Sequence, residues 1–193
     1  GLVDDLVRQM AGLLTLGAIK GFVSNAISEF NRAEAAYRGL ESVANFAGVG
    51  IGRAMEEATK LSSDGLLTVA ESSKALQNLL SRGYSIEQAV ETLNRLKDAA
   101  AFGKAAHLSL GEAVVSASEG LKNENSILVD NAGVTKNVSV LWKEYAAQIG
   151  KSVTELTQAD KVQAEHNGIL RETEAQAGNA VKAAGSLAGQ MNK

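Results

Sequence analysis

Three times between residues 68 and 112 a hydroxyl residue is followed, three positions on, by an acid or amide: Thr68 with Glu71, Ser85 with Gln88, Ser109 with Glu112. This pair marks a helix start, because the hydroxyl accepts the N–H of the third helical residue while the acid or amide reaches back to the cap's own N–H. Apolar residues at steps of three and four succeed each pair: Val69, Leu76 and Leu80; then Ile86, Val90, Leu93, Leu96 and Ala100; then Leu110, Val114, Ala117 and Leu121. Such punctuation confines the chain to short amphipathic helices. Gly83 and Gly103 stand where helices end, which predicts an antiparallel hairpin over Leu66–Ala101 with a tight Gly83-Tyr84-Ser85 turn. The starts are too unevenly spaced for a solenoid repeat. Helices of this length need packing partners.

The remainder agrees with that frame. Proline and cysteine are absent, and Ala, Leu, Glu, Lys and Gln are frequent, so the expected fold is all-α with no β-sheet of consequence. The 19 glycines oppose long helices and predict short ones, kinks or close helix contacts. One Trp, three Tyr and four Phe predict a thin core. An elongated multi-helix segment with helical hairpins and oligomeric packing suits such a core better than a self-sufficient ball. The chain begins with Gly1 rather than Met, which predicts a piece of something longer.

In chain order, residues 1–33 read as an amphipathic, moderately hydrophobic helix. Its stripe, Leu6, Met10, Leu13, Leu16, Ile19, Val23, Ile27 and Phe30, is a candidate helix-packing face. Met10–Ile27 is apolar enough to raise a membrane reading, but Thr15, Lys20, Ser24 and Asn25 interrupt it, and a spanning helix needs about 20 nearly unbroken apolar residues. It lacks the basic start and cleavage pattern of a signal peptide. Gly17 and Gly21 have the spacing that lets helices approach closely. The run Gly48–Gly52 is no phosphate loop, because no strand precedes it and no Lys-Ser/Thr comes after it; it reads as a hinge or a close helix contact. Residues 179–193 are rich in small side chains and read as a fraying helix or linker.

Catalytic chemistry finds no foothold. His107 and His166 lack the i, i+4 ligand partner of a helical zinc site, and no nucleophile, base and orienting group can be assembled around them. Glu56 with Glu57, and Glu119, Glu124 and Asp130, read as solvated faces; no calcium-loop spacing occurs. No enzyme, cofactor or metal is expected. A net charge of −3 with scattered basic residues argues against specific nucleic-acid binding.

The least generic stretch is Asn123–Thr173, NENSILVDNAGVTKNVSVLWKEYAAQIGKSVTELTQADKVQAEHNGILRET. An apolar run (Ile127, Leu128, Val129) leads into a turn carried by Asp130, Asn131 and Gly133. Next comes a helix with the stripe Val138, Trp142, Tyr145 and Ile149, a second candidate packing face, which stops at Gly150. Thr157 and Asp160 cap a further helix from Gln158, striped by Val162, His166, Ile169 and Thr173. This string resembles the core region of tail tape measure proteins of long-tailed bacteriophages. The similarity extends upstream through AYRGLESVANFAGVGIGRAMEEATKLSSDGLLTVAESSKALQNLLSRGYSIEQAVETLNRLKDAAAFGKAAHLSLGEAVVSASEGL and covers Glu34–Gly178.

The resemblance implies a helical structural protein of the virion. It would lie in the tail tube lumen, set tail length during assembly and leave ahead of the DNA. Implied partners are further copies of itself in a homo-oligomer, a trimer, together with the tail tube protein, tail assembly chaperones, distal tail or tail tip proteins, and the host inner membrane during ejection. The glycine breaks predict a folded-back segment near a tail end or chaperone-binding region rather than a pure spacer. Two rivals stand beside it: a membrane-active helix at Met10–Ile27 forming a DNA conduit, and an unrelated soluble helical adaptor. A compact, cooperatively folding monomer would favour the adaptor.

Overall fold

The computed structural model describes the backbone of residues 26–191 and the side chains of 32–186. Leu6, Met10, Leu13, Leu16, Ile19 and Val23 lie outside the described residues, as does most of the Met10–Ile27 stretch; Ile27 and Phe30 fall in the first turns of α1. The chain divides into two compact units, residues 1–34 and 35–193.

Among the described residues the fold is all-α. Helices α1 (Ala26–Phe46), α2 (Ile51–Ser62), α3 (Val69–Arg82), α4 (Ile86–Gly103) and α5 (Leu110–Lys122) are succeeded by α6 (Ser126–Asp130), α7 (Val138–Gln148), α8 (Gln158–Glu172) and α9 (Asn179–Met191). Single 3-10 turns occupy Val153–Glu155 and Glu174–Gln176. No described helix is long and apolar enough to cross a membrane.

The capping pairs govern the helix starts. Thr68, Ser85, Ser109 and Thr157 each accept from the backbone three residues on, and Glu71, Gln88, Glu112 and Asp160 return the bond. Gly83, at φ +109°, ends α3, with its own N–H on the Leu80 carbonyl and the Tyr84 N–H on that of Leu79. Gly103 behaves otherwise: α4 runs through it and stops at extended Lys104. A Cβ there would make only an ordinary 3.8 Å contact with the Gly133 Cα; the close approach falls on Gly133, where a Cβ would meet the Gly103 carbonyl oxygen at 2.9 Å. The Gly48–Gly52 run turns at Gly48 and enters α2 at Ile51, with open space around Gly48, Gly50 and Gly52, so the close-contact alternative fails there. Close contacts occur elsewhere. A Cβ on Gly120 would meet the Asn125 carbonyl at 2.7 Å and the Val129 nitrogen at 2.8 Å.

The core is not thin. Leu40, Leu61, Leu76, Leu79, Leu93, Leu96, Leu121, Leu141 and Ile169 are fully buried, and Ala54, Ala58, Ala75, Ala89, Ala113 and Ala117 lie completely out of solvent between them. Leucine against alanine lets helix axes approach and fills the interior without aromatic volume. Helix α4 is central, packing against α2, α3, α5, α8 and α9, while α3 finds its broadest partner in α5 rather than in α4, to which the turn joins it. The apolar run Ile127–Val129 closes into short α6, burying Val129 and exposing Ile127. The small-residue tail is helical too. Helix α9 packs on α4, and its Ala180 N–H donates to the Asp98 carboxylate at 2.9 Å.

Candidate functional site: a buried charge cluster

Helix α8 turns Val162, His166, Ile169 and Thr173 inward, the stripe that its periodicity predicts. Between them lies Glu165, with none of its surface exposed. An ionised carboxylate costs several kcal/mol to desolvate and persists only where donors surround it. Three do. The Arg82 Nη2 donates at 2.8 Å from the end of α3, the Tyr84 hydroxyl at 2.9 Å from the turn beyond it, and the Trp142 indole Nε1–H at 2.7 Å from α7. One carboxylate thereby joins residues that lie up to 83 positions away in the chain.

Arg82 carries the cluster outward. Its Nη1 donates to Glu124 at 2.8 Å, and its side chain is only 5% exposed, while that of Glu124 is 40% exposed. Glu124 has φ +56°, the left-handed region that favours glycine. It holds the position after α5 where a glycine cap would stand, with the Asn125 N–H on the Gly120 carbonyl. This costly backbone presents its carboxylate to Arg82. Trp142 is flanked by two cations, the Lys161 ammonium 4.5 Å from its ring centroid and the Arg82 guanidinium 6.0 Å away. Gln158 ties its side-chain amide to the Arg82 carbonyl at 2.8 Å.

The electrostatics reflect burial and pairing. Burial, reinforced by the neighbouring Glu165 charge, pushes the Tyr84 hydroxyl well above its ordinary value of 10.0, so it stays a donor. Burial opposes the charge on Arg82, but its bonds to Glu165 and Glu124 outweigh that and raise its pKa. The Arg82 hydrogen bond is also what holds the Glu124 carboxyl below the usual range. All three donors reaching Glu165 are engaged by it, while the buried Arg82 Nε is left without a partner; the bonds that are made run between α3, α7 and α8 and hold those helices together. Among the described residues no group of three or more His, Asp or Glu is placed to hold a metal.

Of the candidate face Val138, Trp142, Tyr145 and Ile149, only part points inward. Val138 is buried, Trp142 and Tyr145 are half-buried, and Ile149 is exposed. Leu141, outside that stripe, is fully buried, and a Cβ on Gly168 of α8 would strike its methyl group at 2.6 Å. The buried face of α7 is therefore rotated toward Leu141. Exposed Ile149 lies just past the last turn, where Gly150 at φ +71° redirects the chain. His166 is nearly buried and bonds Glu91 at 2.7 Å, whereas His107 is exposed. Glu119 and Asp130 are exposed, as expected for solvated faces. Glu165 and Arg82 escape sequence reasoning because a charged residue signals solvent. The available clue is that Glu165 stands one position before His166 on a stripe that already turns polar groups, His166 and Thr173, inward.

No family model, curated protein or solved structure matches the chain. The site must be read from its own geometry. Its chemistry is cohesion: a carboxylate, a guanidinium and an indole locked between α3, α7 and α8.

Proposed function

We propose that this chain is a folded-back structural segment of a phage tail tape measure protein, acting in the virion and not as an enzyme. The resemblance over Glu34–Gly178 supports the family. One structural observation favours a folded-back segment over a spacer: residues 35–193 form a single compact unit. As one continuous helix, residues 35–193 would measure about 240 Å at about 1.5 Å per residue. Folded back, that unit occupies far less tube. The segment then serves as a terminal or docking element, with tail length set by other parts of the parent protein, and its partners are the tail tube protein, tail assembly chaperones and distal tail proteins.

Mass spectrometry of purified virions, before and after triggered ejection, tests the family reading. The chain should be present before and depleted after; its absence from intact virions overturns the reading. In-frame deletion of residues 35–178 from the parent gene, with tail lengths measured by electron microscopy, tests the folded-back part. Tails should shorten far less than the roughly 220 Å that the same residues would span as extended helix. Shortening by that full amount would restore the spacer.

The same dense core favours a second reading, an unrelated soluble helical adaptor. Sedimentation and urea denaturation of the isolated chain separate the two. A cooperatively unfolding monomer supports the adaptor, and a trimer supports the tape measure segment.

A further inference from the structure

We propose that an open groove along α4 receives a short helix bearing basic side chains. The inference holds under either reading above. The groove, about 340 Å³, runs along one face of α4 from Ile86 to Asp98, three turns or roughly 18 Å. Helix α2 walls one side with Glu57, and Leu170 of α8 closes the other. Buried Ile86 and half-buried Val90 and Leu170 make an apolar floor. The two α4 floor residues stand one helical turn apart, the spacing at which an amphipathic helix anchors itself in a groove.

The rim sets the sign of the partner. Arg53 is paired with Glu87 at 2.8 Å, and Arg95 is bonded to the Leu170 carbonyl at 2.6 Å, which orients it without neutralising its charge. Glu57, Glu91 and Asp98 remain as carboxylates with acceptor capacity left over. Lys60 approaches Glu57 only at 3.8 Å, Glu91 takes one bond from His166, and Asp98 takes one from the Ala180 N–H, whereas a carboxylate offers about four lone-pair sites. Its four carboxylates, Glu57, Glu87, Glu91 and Asp98, outnumber its two guanidiniums, so the groove complements Lys or Arg and repels an acidic partner. Strand addition finds no partner here, because the described fold presents no sheet edge for main-chain pairing.

The test uses the full 193-residue chain and two fluorescein-labelled model peptides of four helical turns. Both carry the same leucine stripe; one has Lys and the other Glu at the remaining positions. Fluorescence anisotropy should show binding of the Lys peptide, weakened by added salt, and at least tenfold weaker binding of the Glu peptide. Glu57→Lys should weaken the Lys peptide at least tenfold, whereas Glu119→Lys, an exposed carboxylate outside the groove, should change it less than twofold. Should Glu57→Lys melt early by circular dichroism, Glu57→Gln replaces it, with a loss of about threefold expected. Equal binding of both peptides, no binding, or equal losses in the Glu57 and Glu119 variants overturns the proposal. So does self-association abolished by Val90→Lys, which would make the occupant a second copy of this chain.

Discussion

Two regions of this molecule are held in contrasting ways. Helices α3, α4 and α5 start on reciprocal caps and meet chiefly through leucine and alanine, with one buried neutral hydrogen bond, from the Asn78 amide to the Ser118 hydroxyl at 3.0 Å, between α3 and α5. Helices α7 and α8 also pack through Leu141 and Ile169, but their attachment to α3 runs through Glu165, Arg82 and Trp142. Apolar burial tolerates small shifts in register. A buried carboxylate does not, because each donor must arrive at hydrogen-bonding distance or leave a charge unpaired. The charged joint therefore trades tolerance for a unique arrangement, and the two joints should fail differently.

The sharpest way to break the contrast is Glu165→Ala, which leaves the buried Arg82 guanidinium only the exposed Glu124 and strips Tyr84 and Trp142 of their acceptor. Urea denaturation should show a loss of about 3–5 kcal/mol, and replacing the pair together, Arg82→Met with Glu165→Leu, should recover much of it. A loss below about 1 kcal/mol for Glu165→Ala would mean that the apolar contacts alone hold α8.

Next in size is the apolar part of the same joint. Leu141→Ala should cost about 2–4 kcal/mol through the cavity it leaves beneath Gly168. Ile149→Ala, at an exposed position, should stay within about 0.5 kcal/mol by the same measurement. Equal costs would return the packing face of α7 to its periodic stripe.

Smaller effects belong to the capped region. Ser85→Ala should cost about 1 kcal/mol, and Ser109→Ala should do the same. In both variants native-state hydrogen exchange should quicken in the first turn of the affected helix, while the indole signal of Trp142 stays unchanged. A change at Trp142 would couple the two regions more tightly than their contacts suggest.

The subtlest test uses pH. The Tyr84 hydroxyl titrates above its ordinary value in the folded chain, so its contribution is intact below pH 10.0 and declines as pH rises from there through the folded value. The alkaline fall in stability should be shallower in Tyr84→Phe than in the parent, and identical slopes would remove Tyr84 from the alkaline response. Glu124 acts on the opposite limb. Its carboxyl is held low by Arg82, so its contribution is present above about pH 4.5 and is lost as pH falls through the lower folded value. Exposure to solvent keeps that contribution small.

How legible a feature is in the sequence tracks the range of the force behind it. Helix starts at Thr68, Ser85, Ser109 and Thr157, the turns at Gly83, Gly133 and Gly150, and the inward stripe of α8 are all readable. Each depends on bonds or periodicity spanning a few residues, and the all-α class rests on them. Local order in the chain is enough to specify those elements. Long-range packing settles the rest: that α3 packs chiefly on α5, that Leu141 rather than Ile149 faces inward, and that the chain at Gly133 passes close against the Gly103 carbonyl. It also places Glu165 in the interior, because a carboxylate is stable there only once Arg82, Tyr84 and Trp142 converge from three separate segments, and no local pattern encodes that convergence.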